Sequence, residues 1–137
     1  MRYLMDTGIW LRLSREPQTL PDTCRSLLSS EAQVGLSAVS LREVAWKVAH
    51  GKLDLGQPTL TWFKAALTGQ VLVLPLTPEI AADSAALPAF PVEDPYDQMI
   101  VATARQHSLT ALTTDRAWRE YPHARILYYK PVLTAAR

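Results

Sequence analysis

The sequence is poor in the residues that build disulfides and soft-metal sites. Cys24 is the only cysteine, which excludes an internal disulfide and a zinc site made of cysteines. The three histidines, His50, His107 and His123, have no spacing typical of metal ligands. A chain of 137 residues is long enough to bury a core without such cross-links. We therefore expect one domain that spans residues 1–137.

Long hydrophobic runs and blocks of positive charge are also missing. The longest apolar run, VLVLPL, is far too short to cross a membrane, and the N-terminal run is interrupted by Asp6, unlike a signal peptide. We therefore expect a cytoplasmic protein with no membrane contact. Residues 65–104 contain no lysine or arginine but five acids. Such a segment needs a cation, a basic partner or water around it.

Strand and helix patterns alternate along the chain. Strands are predicted at residues 2–5, 34–38, 71–76, 109–114 and 124–129. Helices are predicted at residues 8–14, 22–30, 40–51, 58–69 and 78–87, from residue 94 onward, and at residues 115–121. This alternation predicts an α/β fold, a three-layer α/β/α sandwich with a central parallel sheet of about five strands.

Acidic residues occur where this fold would bring them together. Asp6 and Asp115 each follow a predicted strand, Glu43 lies in the first turn of a helix, and Asp94 and Asp97 open another. The carboxyl ends of parallel strands and the N-termini of the following helices share one edge of the sheet, where ligands bind. We therefore expect these carboxylates to face one another.

Several of the acids also have structural explanations. Asp94 and Asp115 can each cap the helix that follows. Ser40 and Glu43 fit a capping box, and Glu43 with Lys47 forms a favourable pair four residues apart. Asp6 has no such explanation, because nothing after it obviously needs a cap.

Asp97 is the acid that is hardest to explain by structure alone. It lies in line with Ile100, Val101 and Ala104 on the apolar face of its helix. Two carboxylates about 5 Å apart repel by roughly 3 kcal/mol at an effective dielectric constant of about 20. Convergence of several acids therefore requires a cation, and oxygen donors without histidine or cysteine favour Mg²⁺, or Mn²⁺, over zinc.

Four segments together resemble a known family. They are YLMDTGIWL, LSAVSLREVAWKVAHGKLDL, EDPYDQMIVATARQHSLTALTTDRAW and the closing ILYY. In this order and spacing they resemble a PIN-domain ribonuclease, most closely the VapC-type toxin of a bacterial toxin–antitoxin pair. The resemblance extends from Tyr3 to about Tyr129. It implies a single PIN-like nuclease domain that cleaves RNA with the help of Mg²⁺ or Mn²⁺.

The resemblance also assigns roles to individual residues. Asp6, Glu43, Asp97 and Asp115 fall on the family's acidic quartet, as catalytic residues and metal ligands. Asp94 falls on an auxiliary acid, and Thr113 and Thr114 fall where hydroxyl groups position the metal or phosphate. The implied partners are an RNA substrate, a small antitoxin protein and a second copy of the chain in a homodimer.

Two further sets of residues are candidates for binding. Arg12, Arg15, Arg116 and Arg119 come near the acidic edge in the sequence and are candidates for RNA-phosphate contacts. Trp46 and Trp62 are candidates for an apolar groove that receives a partner segment, although most tryptophans belong to a core. A catalytically silent protein- or RNA-binding PIN-like module therefore stays open as the alternative function.

Overall fold

The computed structural model describes residues 1–67 and 69–133 and contains one five-stranded sheet. The strands are β1 (Tyr3–Met5), β2 (Val34–Ser37), β3 (Val71–Leu74), β4 (Thr110–Thr113) and β5 (Arg125–Tyr128). Their order across the sheet is β3-β2-β1-β4-β5, and every neighbouring pair is parallel. β1 is central, and its Met5 is level with Leu36 of β2 and Leu112 of β4.

Helices connect these strands and cover both faces of the sheet. They are α1 (Thr7–Arg15), α2 (Asp22–Ser29), α3 (Ala38–Ala49), α4 (Thr59–Ala66), α5 (Pro78–Ser84) and α6 (Pro95–His107). Within the two described ranges, no helix is long and apolar enough to cross a membrane.

Two apolar clusters hold the layers together. On one face, Met5 and Leu112 of the sheet pack with Trp10 of α1 and Trp62 of α4. On the other, Leu4 and Ala111 pack with Ile100 and Val101 of α6 and with Trp118. Because successive residues of a strand point to opposite faces, Leu4 and Met5 serve different layers. The predicted three-layer fold with a parallel sheet is confirmed.

The structure differs from the sequence prediction at two helices. The predicted helix at residues 115–121 is only a single 3-10 turn, Arg116–Trp118. The predicted helix at residues 40–51 begins two residues earlier, at Ala38, because Ser37 caps it by accepting from the Val39 amide at 3.2 Å. The capping box that we expected at Ser40 is therefore wrong. The predicted helix at residues 58–69 includes Thr68, which lies outside the described residues.

Candidate active site

The sheet topology brings the predicted acids to its carboxyl edge, where the strands end. Asp6 follows β1, and Asp115 follows the neighbouring strand β4 after Thr113 and Thr114. Asp97 lies in the first turn of α6 on one side of this edge. Glu43 lies on α3, which begins directly after β2.

Asp6 is buried at the centre of the edge, with only 6% of its surface exposed. Its Oδ2 accepts a hydrogen bond from the Thr113 hydroxyl at 2.6 Å, and its Oδ1 accepts from the Ile9 amide at 2.7 Å. Burial raises the pKa of Asp6 to about 6, the two hydrogen bonds oppose the rise, and the charges of Glu43 and Asp115 add to it. The Ile9 contact makes Asp6 the N-cap of α1, a role that the sequence analysis missed.

Gly8 leaves room beside this carboxylate. A Cβ at position 8 would lie 3.4 Å from the Thr114 hydroxyl oxygen and 3.5 Å from Asp6 Oδ1. The Thr114 hydroxyl and the Asp6 carboxylate therefore border the same small space above α1. Together with the Thr113 contact, this brings both predicted threonines next to Asp6.

Glu43 is held by contacts to α1 and to its own helix, α3. It is 8% exposed, and its Oε1 accepts from the Thr7 hydroxyl at 2.6 Å. The Thr7 oxygen also lies 2.9 Å from the Ser40 hydroxyl, and Lys47 Nζ lies 3.2 Å from Glu43 Oε2. The predicted pair with Lys47 is confirmed, whereas Thr7 and Ser40 are polar contacts that sequence reasoning did not find. The signal for Thr7 was present in its position directly after Asp6.

Asp97 is half-buried in the first turn of α6. Burial raises its pKa to about 7, and the charges of Asp94, Glu43, Asp6 and Asp115 raise it further. Within residues 1–67 and 69–133, its carboxylate makes no hydrogen bond or ion pair. The acid at the end of the apolar stripe therefore faces other acids across the carboxyl edge.

Asp94 and Asp115 act as helix caps and are exposed. Asp94 Oδ1 accepts from the Tyr96 amide at 2.8 Å, and Asp115 Oδ1 accepts from the Ala117 amide at 2.9 Å. The Asp115 amide itself donates to the Thr113 hydroxyl oxygen at 2.9 Å. Both caps match the structural explanations, and both side chains still contribute to the field that raises the pKa of Asp97.

The chemistry of this donor set fits a hard divalent cation. All the groups are carboxylates and hydroxyls, which Mg²⁺ and Mn²⁺ prefer. Burial raises the pKa of Asp6 and of Asp97, and the charges of neighbouring acids add to the rise. In the described part of the chain, however, no three acidic, histidine or cysteine side chains are close enough together to form a preassembled site. Asp6 and Asp97 are the residues that would hold the ion, and binding would draw their side chains together.

The four candidate arginines lie on two segments of the chain. Arg12 and Arg15, on α1, border a shallow cavity of about 230 Å³ together with Gly8, and Arg15 donates to the Asp54 carbonyl at 2.8 Å. Arg116 and Arg119 follow Asp115 and are exposed. The Arg119 guanidinium lies 5.8 Å from the centre of the Tyr128 ring.

The two candidate groove tryptophans occupy different environments. Trp62 is 7% exposed and packs against Trp10 with 5.0 Å between ring centres. It therefore belongs to the core and offers little surface to a partner. Trp46 is half-buried and stacks on His50 at 4.0 Å, with Lys52 Nζ 5.0 Å from its ring centre. Of the two, only Trp46 presents a ring to the surface.

Comparison with known proteins identifies the family. Residues 3–124 match the family model of the PIN domain. The chain belongs to the PIN-domain family. It is also similar to Ribonuclease VapC22 of Mycobacterium tuberculosis, with 32% identity over 122 residues that cover 89% of this chain and 93% of the relative. The resemblance inferred from the sequence is thereby confirmed.

Solved structures share the PIN fold over nearly the whole chain. VapBC2 from Rickettsia felis, bound to a DNA fragment from its promoter, aligns with a TM-score of 0.71 and 15% identity, covering 94% of this chain and 99% of the other. VapC20 of Mycobacterium tuberculosis, a toxin that cleaves the sarcin-ricin loop, aligns with a TM-score of 0.59 and 16% identity. The alignment covers 90% of this chain and 98% of the other. At these identities the likeness concerns the fold alone.

Proposed function

We propose that this PIN-domain protein is a Mg²⁺- or Mn²⁺-dependent endoribonuclease and the toxin of a type II toxin–antitoxin module. The observation that carries the proposal is the position of Asp6, directly after β1, and of Asp97, in the first turn of α6, at the carboxyl edge of the sheet. Both carboxyl groups also have raised pKa values. Strongly perturbed pKa values are typical of functional sites. The ribonuclease relative supports RNA as the substrate.

Each acid has a distinct part in this proposal. Asp6 and Asp97 would hold the cation, and Thr113 fixes the orientation of Asp6 through its 2.6 Å hydrogen bond. Asp115 would bind the cation directly or through water, and Glu43 would lie beside the site on α3. When bound, the cation supplies Lewis-acid chemistry: it polarises the scissile phosphate and offsets the charge that develops on its oxygens.

RNA binding would use the positive side chains that flank the acids. The candidates for these phosphate contacts are Arg12 and Arg15 on α1, and Arg116 and Arg119 after β4. Phosphate contacts position a strand without reading its sequence. They also offset the repulsion between the RNA backbone and the acidic edge.

The assay measures cleavage of bulk RNA by the wild-type protein and by Asp6→Asn and Asp97→Asn. We expect cleavage that requires Mg²⁺ or Mn²⁺, is abolished by EDTA, and falls at least about 100-fold in each variant, the order of loss typical of removing a key electrostatic group. Exposed Asp22→Asn is the matched control and should retain wild-type activity. Cleavage by the two site variants that survives EDTA would refute the metal mechanism.

The proposed partners are a small antitoxin, a second copy of the chain and the RNA itself, all in the cytoplasm. Several similar structures are toxin–antitoxin complexes. Trp46 is the candidate contact for an antitoxin segment, because its ring is held at the surface by His50 and Lys52. Co-expression with a small reading frame, if one adjoins this gene, tests this contact: wild type should co-purify with its product and Trp46→Ala should not.

A catalytically silent binding module is the second candidate. It is favoured by one observation: the described residues contain no preassembled cluster of three metal-ligating acids, histidines or cysteines. Calorimetric titration with Mn²⁺ separates the two functions. A silent module would bind RNA or a partner protein but take up no Mn²⁺.

A further inference from the structure

Glu43 differs from the other buried acid of the site because it already has a cation. Lys47 Nζ lies 3.2 Å from Glu43 Oε2, and the Thr7 hydroxyl occupies Oε1 at 2.6 Å. Asp6 has two hydrogen bonds but no ion pair within the described ranges. The Lys47 ammonium therefore offsets the charge of Glu43, and no such cation is paired with Asp6 among the described residues.

The fold fixes this arrangement. Residues four apart on a helix are neighbours on its surface, so α3 holds the Lys47 ammonium beside Glu43. The Glu43 side chain is only 11% exposed, and that of Lys47 is 39% exposed, so the pair is partly shielded from water. Thr7 restrains the other oxygen from α1, which prevents Glu43 from turning away from Lys47.

An ammonium group and a divalent cation compete for this carboxylate. Mg²⁺ binds oxygen at about 2.0–2.1 Å and requires near-octahedral surroundings, whereas the ammonium already lies on Oε2. The Lys47 ammonium and a metal ion bound to the same carboxylate would also repel each other. A second divalent ion at Glu43 would therefore have to compete with Lys47, while an ion at Asp6 and Asp97 would not.

We propose that Lys47 occupies the position of a second divalent cation beside Glu43, so that the chain holds a single Mg²⁺ or Mn²⁺ at Asp6 and Asp97. This inference rests on the proposed metal-dependent function. Glu43 then serves as a fixed acceptor oriented by Thr7 and Lys47. Lys47 is a positioning residue that sets the number of ions bound.

The test is a calorimetric titration of the purified protein with Mn²⁺, with no RNA present. We expect one Mn²⁺ per wild-type chain and two per Lys47→Met chain, because the substitution leaves Glu43 without its cation. Electron paramagnetic resonance of bound Mn²⁺ should report a coupled pair of ions in the variant only. Two ions in the wild type, or one ion in both proteins, would overturn the proposal.

Three controls separate this effect from a general change of charge. Lys47→Arg keeps a cation at the same place and should bind one Mn²⁺. Lys52→Met removes an exposed lysine near Trp46 and should also bind one, so a second ion in this variant would overturn the proposal. Glu43→Gln combined with Lys47→Met should return to one ion.

Other results of the Mn²⁺ titration would refute either this inference alone or the proposed function as well. A single site in Lys47→Met that tightens more than tenfold would show that Glu43 shares the first site, contrary to the proposal. Lys47→Gln is the second variant, and circular dichroism checks the fold of each protein. A wild-type protein that takes up no Mn²⁺ would refute the proposed metal-dependent function and this inference together, whereas one ion in both wild type and Lys47 variants refutes the inference alone.

Discussion

Asp6→Asn should stabilise the metal-free protein at alkaline pH, although it removes a proposed catalytic residue. In the folded chain the pKa of Asp6 is raised from 3.8 to about 6, so the folded state binds the proton more tightly than the unfolded state. The stability that this group contributes is complete at a pH below its pKa in the unfolded chain. It is lost as the pH rises from about 4 to about 6. A shift of about two units corresponds to about 3 kcal/mol.

The asparagine keeps the hydrogen bonds that hold the carboxylate. Its oxygen can accept from the Ile9 amide, and its amide group can donate to the Thr113 hydroxyl oxygen, which lies 2.6 Å from Asp6 Oδ2 in the wild type. The substitution therefore removes mainly the charge. Relative to the wild type, the free energy of unfolding of Asp6→Asn should rise by about 3 kcal/mol between pH 4 and pH 8.

Urea unfolding in EDTA, followed by tryptophan fluorescence, measures this difference at each pH. Asp22→Asn, whose parent side chain is 91% exposed, should show no comparable pH-dependent gain. Added Mg²⁺ should stabilise the wild type at pH 8 and leave Asp6→Asn almost unchanged, since a ligand stabilises only a state that binds it. A stability difference between Asp6→Asn and the wild type that is constant from pH 4 to pH 8 would refute the reasoning.

Three other predictions concern Thr113, the two tryptophans Trp46 and Trp62, and Arg119. Thr113→Val removes a hydrogen bond that lowers the pKa of Asp6, so the acidic limb of the pH–rate profile should move to higher pH; an unmoved limb would contradict this. Trp62→Ala should lower the free energy of unfolding by about 3–5 kcal/mol as a core truncation, and half-buried Trp46→Ala by much less, both measured in urea. For RNA binding, Arg119→Ala should reduce the slope of the logarithm of the binding constant against the logarithm of salt concentration by about 0.7. Arg25→Ala is the control. Equal slopes for both variants and the wild type would show that Arg119 does not contact an RNA phosphate.

The fold was predictable because its signals are local and repeated. Apolar strands of four to six residues alternate with helical periodicity, and a parallel sheet requires helices on both faces. The placement of Asp6 and Asp115 at strand ends followed from the same pattern, since adjacent parallel strands end at one edge. The family resemblance supported this reading and was confirmed by the comparisons.

The contacts that orient the site were not predictable to the same degree. Ser40 was interpreted as a cap, but the helix starts earlier at Ala38, and Ser40 instead contacts Thr7 across the gap between α3 and α1. Residues 33 positions apart in the chain meet only through tertiary packing, which periodicity does not encode. Asp6 was similarly missed as a cap because α1 begins immediately after the strand, without an intervening turn.

The tryptophans show the same limit. Both Trp46 and Trp62 were candidates for a partner groove, yet Trp62 packs on Trp10 in the core and Trp46 stacks on His50 at the surface. Which aromatic ring enters a core depends on the angle between helices. That angle is set by the whole set of side chains at the contact.

The most direct measurement is anomalous diffraction at the manganese edge from crystals of this protein soaked in Mn²⁺. The account predicts one peak between the Asp6 and Asp97 carboxylates, with Lys47 still paired to Glu43, and no such peak in Asp6→Asn crystals. Ordered side chains at this edge with no anomalous peak at millimolar Mn²⁺, or a peak bound only elsewhere, would contradict it.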